Sequence, residues 1–516
     1  MRRIVAIVLA LCLMLGLSAC GGTSNNTIYI ALEDITTLDP QIVSRPADRT
    51  VVLNIYEGLL RLDSNDTPIP AAAKEFSKVG LEYTFTLESD LCWSDGTALT
   101  AYDFQFAFRR AASPETDAPD FAKISAIKGA NAVKNGADVS KLGVKAVDDR
   151  TLKITLERED ENFLLTLTEP ICMPCNEAFF LEQKGKYGRR GESTLSNGSF
   201  YVFSWNSDRI RLKRNGYYSG GFTAKPDEIF LTSPEESEII TMLSDKDIDL
   251  SLIDSSKSEA AMDKGLTATS YFDKYVFVVI NKNADFGPAA IRKALSLSIH
   301  RNALEHELPS YLIPFSALVQ PEACFEGTPI YGEVTGFTDF KYLPDEAYDT
   351  YLGYTKVNGS PATGVIIYPA ELKIDSLVSG IASGWQQSLG CFLNMSALDS
   401  NSAVMNKIES GDFTIAVCAL SAGDSNAYEL LSQFRSGNSF GFSNAEFDSI
   451  LNSLHAKTTV EEYVAAIRRA QSILLSDNSI IPIVAAPTVV CSTEQIKYVN
   501  YSIANEYIDF TTIEKK

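Results

Sequence analysis

From Ile28 onward the apolar residues follow two alternating rhythms, one suited to helices and one to strands. The stretch 100–112 puts Phe104, Ala107, Phe108 and Ala111 on one helical face, and Thr100 with Asp103 has the spacing of an N-terminal capping pair. The stretch 289–300 follows Pro288, which suits the start of a helix, and lines up Ile291, Leu295 and Ile299. The stretch 377–389 aligns Leu377, Ile381, Trp385 and Leu389 ahead of Gly390, a residue type that ends helices readily. Between these, 151–157 alternates Leu152, Ile154 and Leu156, as a half-buried strand does. Stretches 276–280, 365–368 and 413–420 are unbroken apolar runs, the pattern of strands covered on both faces. Helices and strands mixed along the whole chain predict α/β lobes and exclude a sandwich or a helical bundle.

Length and charge narrow the function classes. The 516 residues predict about three domains. An apolar share of 45% and a charged share of 22% are ordinary for a folded chain, so wholesale disorder is excluded. A net charge of −21 repels phosphate backbones and anionic lipid headgroups, which excludes nucleic acid and other polyanions as partners.

The first twenty residues read as an export address. Arg2 and Arg3 precede an apolar run over 4–17 that is too short to span a bilayer, and the run ends in Leu17, Ser18, Ala19 and Cys20. Small residues before a cysteine resemble the lipobox of bacterial lipoproteins, which implies that 1–19 is a signal peptide, Cys20 is acylated and 20–27 is a tether. Seven cysteines then remain (Cys92, Cys172, Cys175, Cys324, Cys391, Cys418 and Cys491), too odd a number to pair completely, and most are expected to be small buried hydrophobes.

Candidate chemistry is sparse. His300, His306 and His455 form no HExxH pair, and no catalytic zinc site is expected. Gly437 to Gly441 spells GxSxG around Ser439, but a helical pattern precedes it where a nucleophile elbow needs a strand. Cys172 and Cys175 form a lone CxxC, read either as a local disulfide or as two structural thiols. No P-loop and no strand-borne GxGxxG occurs. No catalytic residue, metal or cofactor is predicted, and a binding protein with its ligand between lobes becomes the expectation.

An ordered series of motifs then resembles one family. Leu38-Asp39-Pro40, Tyr56-Glu57-Gly58-Leu59-Leu60 and Trp93-Ser94-Asp95-Gly96-Thr97 lead into Asp103-Phe104 and Arg109. Leu142 to Asp149, Asn197-Gly198, Trp205 and Ile291-Arg292-Lys293-Ala294-Leu295 follow. In this order they resemble the extracytoplasmic solute-binding proteins of oligopeptide and dipeptide ABC transporters. The resemblance implies a type II, two-lobed periplasmic-binding-protein fold with two hinge crossings, near 271–281 and 480–486. It divides the chain into a first lobe (28–50, 185–270 and 487–516), an extra subdomain within that lobe (51–184), and a second lobe (271–486). The Trp93–Thr97 motif is expected to be structural, with Asp95-Gly96 in a turn and Asp103 at a helix start.

Function and site residues follow from the same resemblance. It implies a lipid-anchored, monomeric, non-enzymatic binder on the outer face of the bacterial cytoplasmic membrane. Peptides would be delivered to permease subunits with ATPases behind them. The implied alternatives are another solute, such as a nickel chelate, a haem or a sugar, or a role as surface receptor for a peptide signal. In peptide binders an acid after the strand corresponding to 413–420 anchors the ligand ammonium; here Gly423 occupies that position and Asp424 adjoins it. Ser421 and Tyr428 flank the same loop, Phe121 is the aromatic expected from the extra subdomain, and Arg45 follows the loop of the first strand. Val484-Ala485-Ala486 stands where the family carries aromatic residues, which implies a wider pocket at the hinge.

Overall fold

The computed structural model describes residues 26–64, 66–160, 162–301, 308–321, 323–325, 328–334, 341–361, 364–422, 427–454 and 457–516. Two long strands, Thr267–Ile280 and Ile480–Ser492, pair antiparallel and run from one lobe into the other. Their sequences explain their position. Tyr275, Phe277 and Val279 face one buried cluster of the second lobe, while Val276, Val278 and Ile280 face another, so the apolar run serves two cores at once.

An eleven-stranded sheet grows outward from this pair. On the first-lobe side Leu250–Ile253, Thr27–Ala31, Glu228–Thr232, Ile210–Arg214 and Phe200–Trp205 follow in that order. On the second-lobe side come Ile415–Ser421, Gly364–Pro369 and Leu393–Leu398. The short strand Ile313–Pro314 pairs with Val484 and Ala485. A separate four-stranded antiparallel sheet, ordered Ala73–Val79, Glu82–Leu87, Thr151–Thr155 and Val144–Asp148, shares one continuous core with the first lobe.

Local chemistry sets the helix limits. Ala101–Ala112 begins after Thr100, whose backbone N–H and hydroxyl both donate to Asp103 Oδ2, at 2.7 and 3.1 Å. Asp375–Leu389 ends at Gly390, which takes φ +67°, and buries Leu377, Ile381, Trp385 and Leu389. Trp385 Nε1 donates to the Leu295 carbonyl at 2.9 Å, tying this helix to Ala289–Leu297. That second helix stops three residues short of the expected His300. Ser298 turns its hydroxyl back onto the carbonyls of Ala294 and Leu295, at 2.8 and 3.1 Å, and closes the last turn there. Similarly, the strand expected over 151–157 ends at Thr155, and Leu156 makes only an isolated bridge to Ile127.

Candidate functional site: the space between the lobes

Strand polarity locates the site. Thr27–Ala31 is parallel to both Glu228–Thr232 and Leu250–Ile253, and Ile253 lies opposite Val489 of the crossing strand, so these carboxyl ends point towards the second lobe. Ile415–Ser421 is parallel to Gly364–Pro369, and Ser421 lies opposite Lys274, so theirs point back towards the first lobe. Two sets of strand carboxyl ends therefore face each other across the crossing pair. Ligands of open α/β sheets bind at such ends, because the loops there are free to vary while the strands hold them in place.

Direct contacts already span this space. Lys373, just beyond Gly364–Pro369, places Nζ 2.9 Å from Asp254 Oδ2 and 3.9 Å from Glu236 Oε1, both from the first lobe. Burial pushes the Asp254 carboxyl up, but hydrogen bonds from Ser256 and Lys373 outweigh it and hold the group below the ordinary carboxylate range. The Lys373 ammonium is raised in turn, chiefly by its hydrogen bond to Asp254. Nearby, the Ser310 hydroxyl donates to Glu259 at 2.7 Å.

The expected ligand residues have specific places. Arg45 caps the helix Pro46–Ile55 and is engaged on its own loop, with Nη2 2.8 Å from Glu33 and Nη1 donating to the Asp34 carbonyl at 2.7 Å. Glu33 and Asp34 edge a recess of about 180 Å³ that also includes Trp205 and Arg209. Phe121 opens the short helix Phe121–Ile124 and packs, half-buried, on the first-lobe core, with Lys134 Nζ 5.5 Å from its ring centre. The preceding Asp120 holds Arg49 of the helix that Arg45 caps, at 2.8 Å, so one helix connects the two first-lobe candidates. Ser421 is exposed at the end of its strand, and its carbonyl accepts from Gln433 Nε2 at 2.9 Å. Tyr428 lies in Ala427–Ser432 against the second-lobe core, 5.4 Å from the Arg435 guanidinium. Gly423 and Asp424 lie outside the described residues, as do Cys20, His306 and His455.

Val484, Ala485 and Ala486 are all buried, and Ile313–Pro314 pairs alongside the first two. Phe315, just beyond this strand, packs its ring at a tilt against Tyr275, with ring centres 4.6 Å apart.

Several other sequence motifs are engaged within the fold itself. Trp93 is fully buried, and Asp95 Oδ1 accepts from the backbone and hydroxyl of Thr97 at 2.9 and 2.6 Å around Gly96 at φ +85°. Asp39 of the Leu38-Asp39-Pro40 motif forms a buried ion pair with Arg110 at 2.7 Å. Cys172 and Cys175 are separate buried thiols. Burial pushes Cys172 far above the ordinary range and Cys175 up to about 11, which makes both poor nucleophiles at neutral pH. Ser439 sits in a loop between Ala427–Ser432 and Ala445–Ser453, without the strand that a nucleophile elbow requires. Among the described residues no cluster of His, Cys, Asp or Glu could hold a metal ion, and no helix is long and apolar enough to cross a membrane.

The family described as bacterial extracellular solute-binding proteins, family 5, matches residues 67–442. The chain belongs to this family. Family 5 relatives along most of its length include the oligopeptide-binding protein OppA of Bacillus subtilis, 24% identical over 93% of this chain and 94% of that protein. Another is the probable deoxycholate-binding periplasmic protein YgiS of Escherichia coli, 25% identical over 88% of this chain and 87% of that one. The substrate-binding domain of an oligopeptide ABC transporter from Bacillus anthracis shares the fold at a TM-score of 0.74, with 24% identity, over 96% of this chain and 99% of its own. Listeria monocytogenes OppA bound to peptide does so at 0.75, with 20% identity, over 96% and 100%.

Within this family 5 frame, sequence reasoning missed Lys373, Asp254 and Asp273. Asp273 left a trace, an acid beside a lysine within the aromatic and aliphatic stretch 271–280. The bridge from Lys373 to Asp254 left none, since it depends on which strand ends the topology brings face to face.

Proposed function

We propose that this chain is the lipid-anchored, extracytoplasmic binding component of an ABC importer, which captures oligopeptides between its lobes and delivers them to membrane permease subunits. The observation that carries the reading is the opposed arrangement of strand carboxyl ends on two lobes joined by paired crossing strands. Relatives that are oligopeptide-binding proteins along most of the chain support the ligand class. The crossing strands act as the hinge between a first lobe, which carries the extra subdomain over 51–184, and a second lobe over 271–486. Arg45 and Phe121 approach the ligand from the first lobe, and Ser421, Tyr428 and the segment with Gly423 and Asp424 approach from the second. Asp424 pairs with the ligand ammonium, a charge-assisted contact that fixes register, while the peptide main chain is held by strand-like hydrogen bonds. Cys20 carries the lipid that keeps a monomer at the outer face of the cytoplasmic membrane, and the protein performs no chemistry on its cargo.

Mass spectrometry of the small molecules released when the natively purified protein is denatured tests the ligand class. Peptides of a few residues are expected. A bile acid, a metal chelate or a sugar in stoichiometric amount would overturn the peptide reading.

A further inference from the structure

The two crossing strands do not pair evenly. Phe272 lies opposite Pro487 and Lys274 opposite Ala486, so Asp273 is an extra residue, a β-bulge at the middle of the crossing. Proline has no N–H to give to the ladder, so the pairing is already broken at this point. Asp273 is nevertheless buried, with 1% of its surface exposed, and its carboxylate collects three donors. Thr488 supplies its backbone N–H at 3.0 Å and its hydroxyl at 2.7 Å, and the Tyr501 hydroxyl reaches the same carboxylate at 3.2 Å. Lys274 Nζ donates to the Thr488 hydroxyl oxygen at 3.0 Å, so a cation lies one hydrogen bond from the buried anion.

These partners come from different parts of the fold. Tyr501 belongs to the strand Asn500–Ser502 at the end of the first lobe, and its ring rests on Tyr271 at 5.1 Å. The Asp273 carbonyl, freed by the bulge, accepts the N–H of Ala422 at 3.3 Å. Ala422 is the residue at which Ile415–Ser421, the second-lobe strand aimed into the interlobe space, leaves the sheet.

We propose that Asp273 is a positioning residue for ligand binding: its carboxylate is held by the first lobe and the crossing strand, and its carbonyl fixes where Ser421 and Ala422 enter the cleft. The inference rests on the cleft being the ligand site. Bulges of this kind re-aim neighbouring chain and increase local twist, which suits a point about which two lobes pivot. Loss of the carboxylate contacts frees the bulge, and the end of Ile415–Ser421 then loses its fixed place relative to the first lobe.

The test uses two variants of the full chain. Tyr501→Phe removes one donor while keeping the ring on Tyr271, and Asp273→Asn keeps the shape while removing the charge. Hydrogen exchange followed by mass spectrometry on ligand-free protein is expected to speed up by about threefold or more over residues 415–422 in both. Exchange in the helices Ala101–Ala112 and Val460–Ser476 should stay unchanged. A general rise across the second lobe, or no change at 415–422 in Tyr501→Phe, overturns the proposal and leaves Asp273 a stability residue only. In parallel, trialanine is titrated against wild type and Tyr501→Phe. Weaker binding through faster release is expected of the variant, and equal affinity counts against the proposal. Failure of trialanine to bind the wild type bears on the ligand class instead, and the exchange result still decides the role of Asp273.

Discussion

The bridge from Lys373 to Asp254 and Glu236 should bias the empty protein towards the arrangement described here. Lys373 is 45% exposed, Asp254 20% and Glu236 59%, so solvent screens the interaction strongly. Exposed pairs contribute about 0.2–1 kcal/mol, and the sheltered Asp254 with a second acid nearby places this bridge near the top of that range. About 1 kcal/mol corresponds to about a fivefold change in the ratio of bridged to separated lobes. Lys373→Gln removes the cation and leaves two acids without it. The backbone at this position stands at φ +50°, a cost that glutamine bears as lysine does, so the variant isolates the charge. Small-angle scattering on ligand-free protein reads the outcome at about 25 mM and about 500 mM salt, where screening lengths differ several-fold. At low salt the variant should be measurably more extended than wild type. At high salt the wild type should expand towards the variant, while the Ser310–Glu259 contact limits the difference. Superimposable profiles at low salt would mean that the bridge does not hold the lobes together.

Three further outcomes follow from named contacts. Burial lifts the Asp103 carboxyl to about 6 against the hydrogen bonds from Thr100, so between about pH 4 and 6 the folded chain holds a proton that the unfolded chain releases. Stability should therefore fall as pH rises through that window. Asp103→Asn should flatten the fall by about 2 kcal/mol in urea titrations, and parallel curves would contradict this. Arg110→Met leaves Asp39 buried without its cation and should cost about 3–5 kcal/mol in equilibrium unfolding; a loss under about 1 kcal/mol would mean that the pair is not an anchor of the first lobe. Asp424→Asn should weaken free peptides more than N-acetylated ones in calorimetric titration, and equal weakening of both would remove Asp424 as the ammonium anchor.

Much of the architecture could be read from residue patterns because the patterns reflect local physics. The capping pair of Thr100 and Asp103 and the stop at Gly390 depend on neighbours close in sequence, and the run at 276–280 shows its burial on both faces in its own unbroken apolar composition. The helix ends before Ser298 although apolar spacing continues to Ile299, because a serine hydroxyl competes for the last carbonyls. The site was less legible for a different reason. Several of the family motifs, such as Asp39 and Trp93, are buried parts of the scaffold. What shapes the interlobe space is set by pairings between distant strands: the bulge at Asp273 exists only against Pro487, and Lys373 meets Asp254 only once the two sheets oppose their carboxyl ends.

Binding of peptides between the lobes is the proposal on which the other site assignments depend. Thermal unfolding of the lipid-free domain, stripped of co-purified ligand by partial unfolding, tests it against peptides of two to six residues, with deoxycholate and a peptide-free control alongside. A ligand at about 1,000 times its dissociation constant stabilises the folded state by about 4 kcal/mol. At an unfolding entropy of about 2 cal/mol/K per residue, that corresponds to about 4 °C for a chain of this length unfolding as one unit. A saturable rise of this size that depends on peptide length is expected. No rise with any peptide from a folded, empty protein, or a rise with deoxycholate alone, would exclude peptides as the ligand.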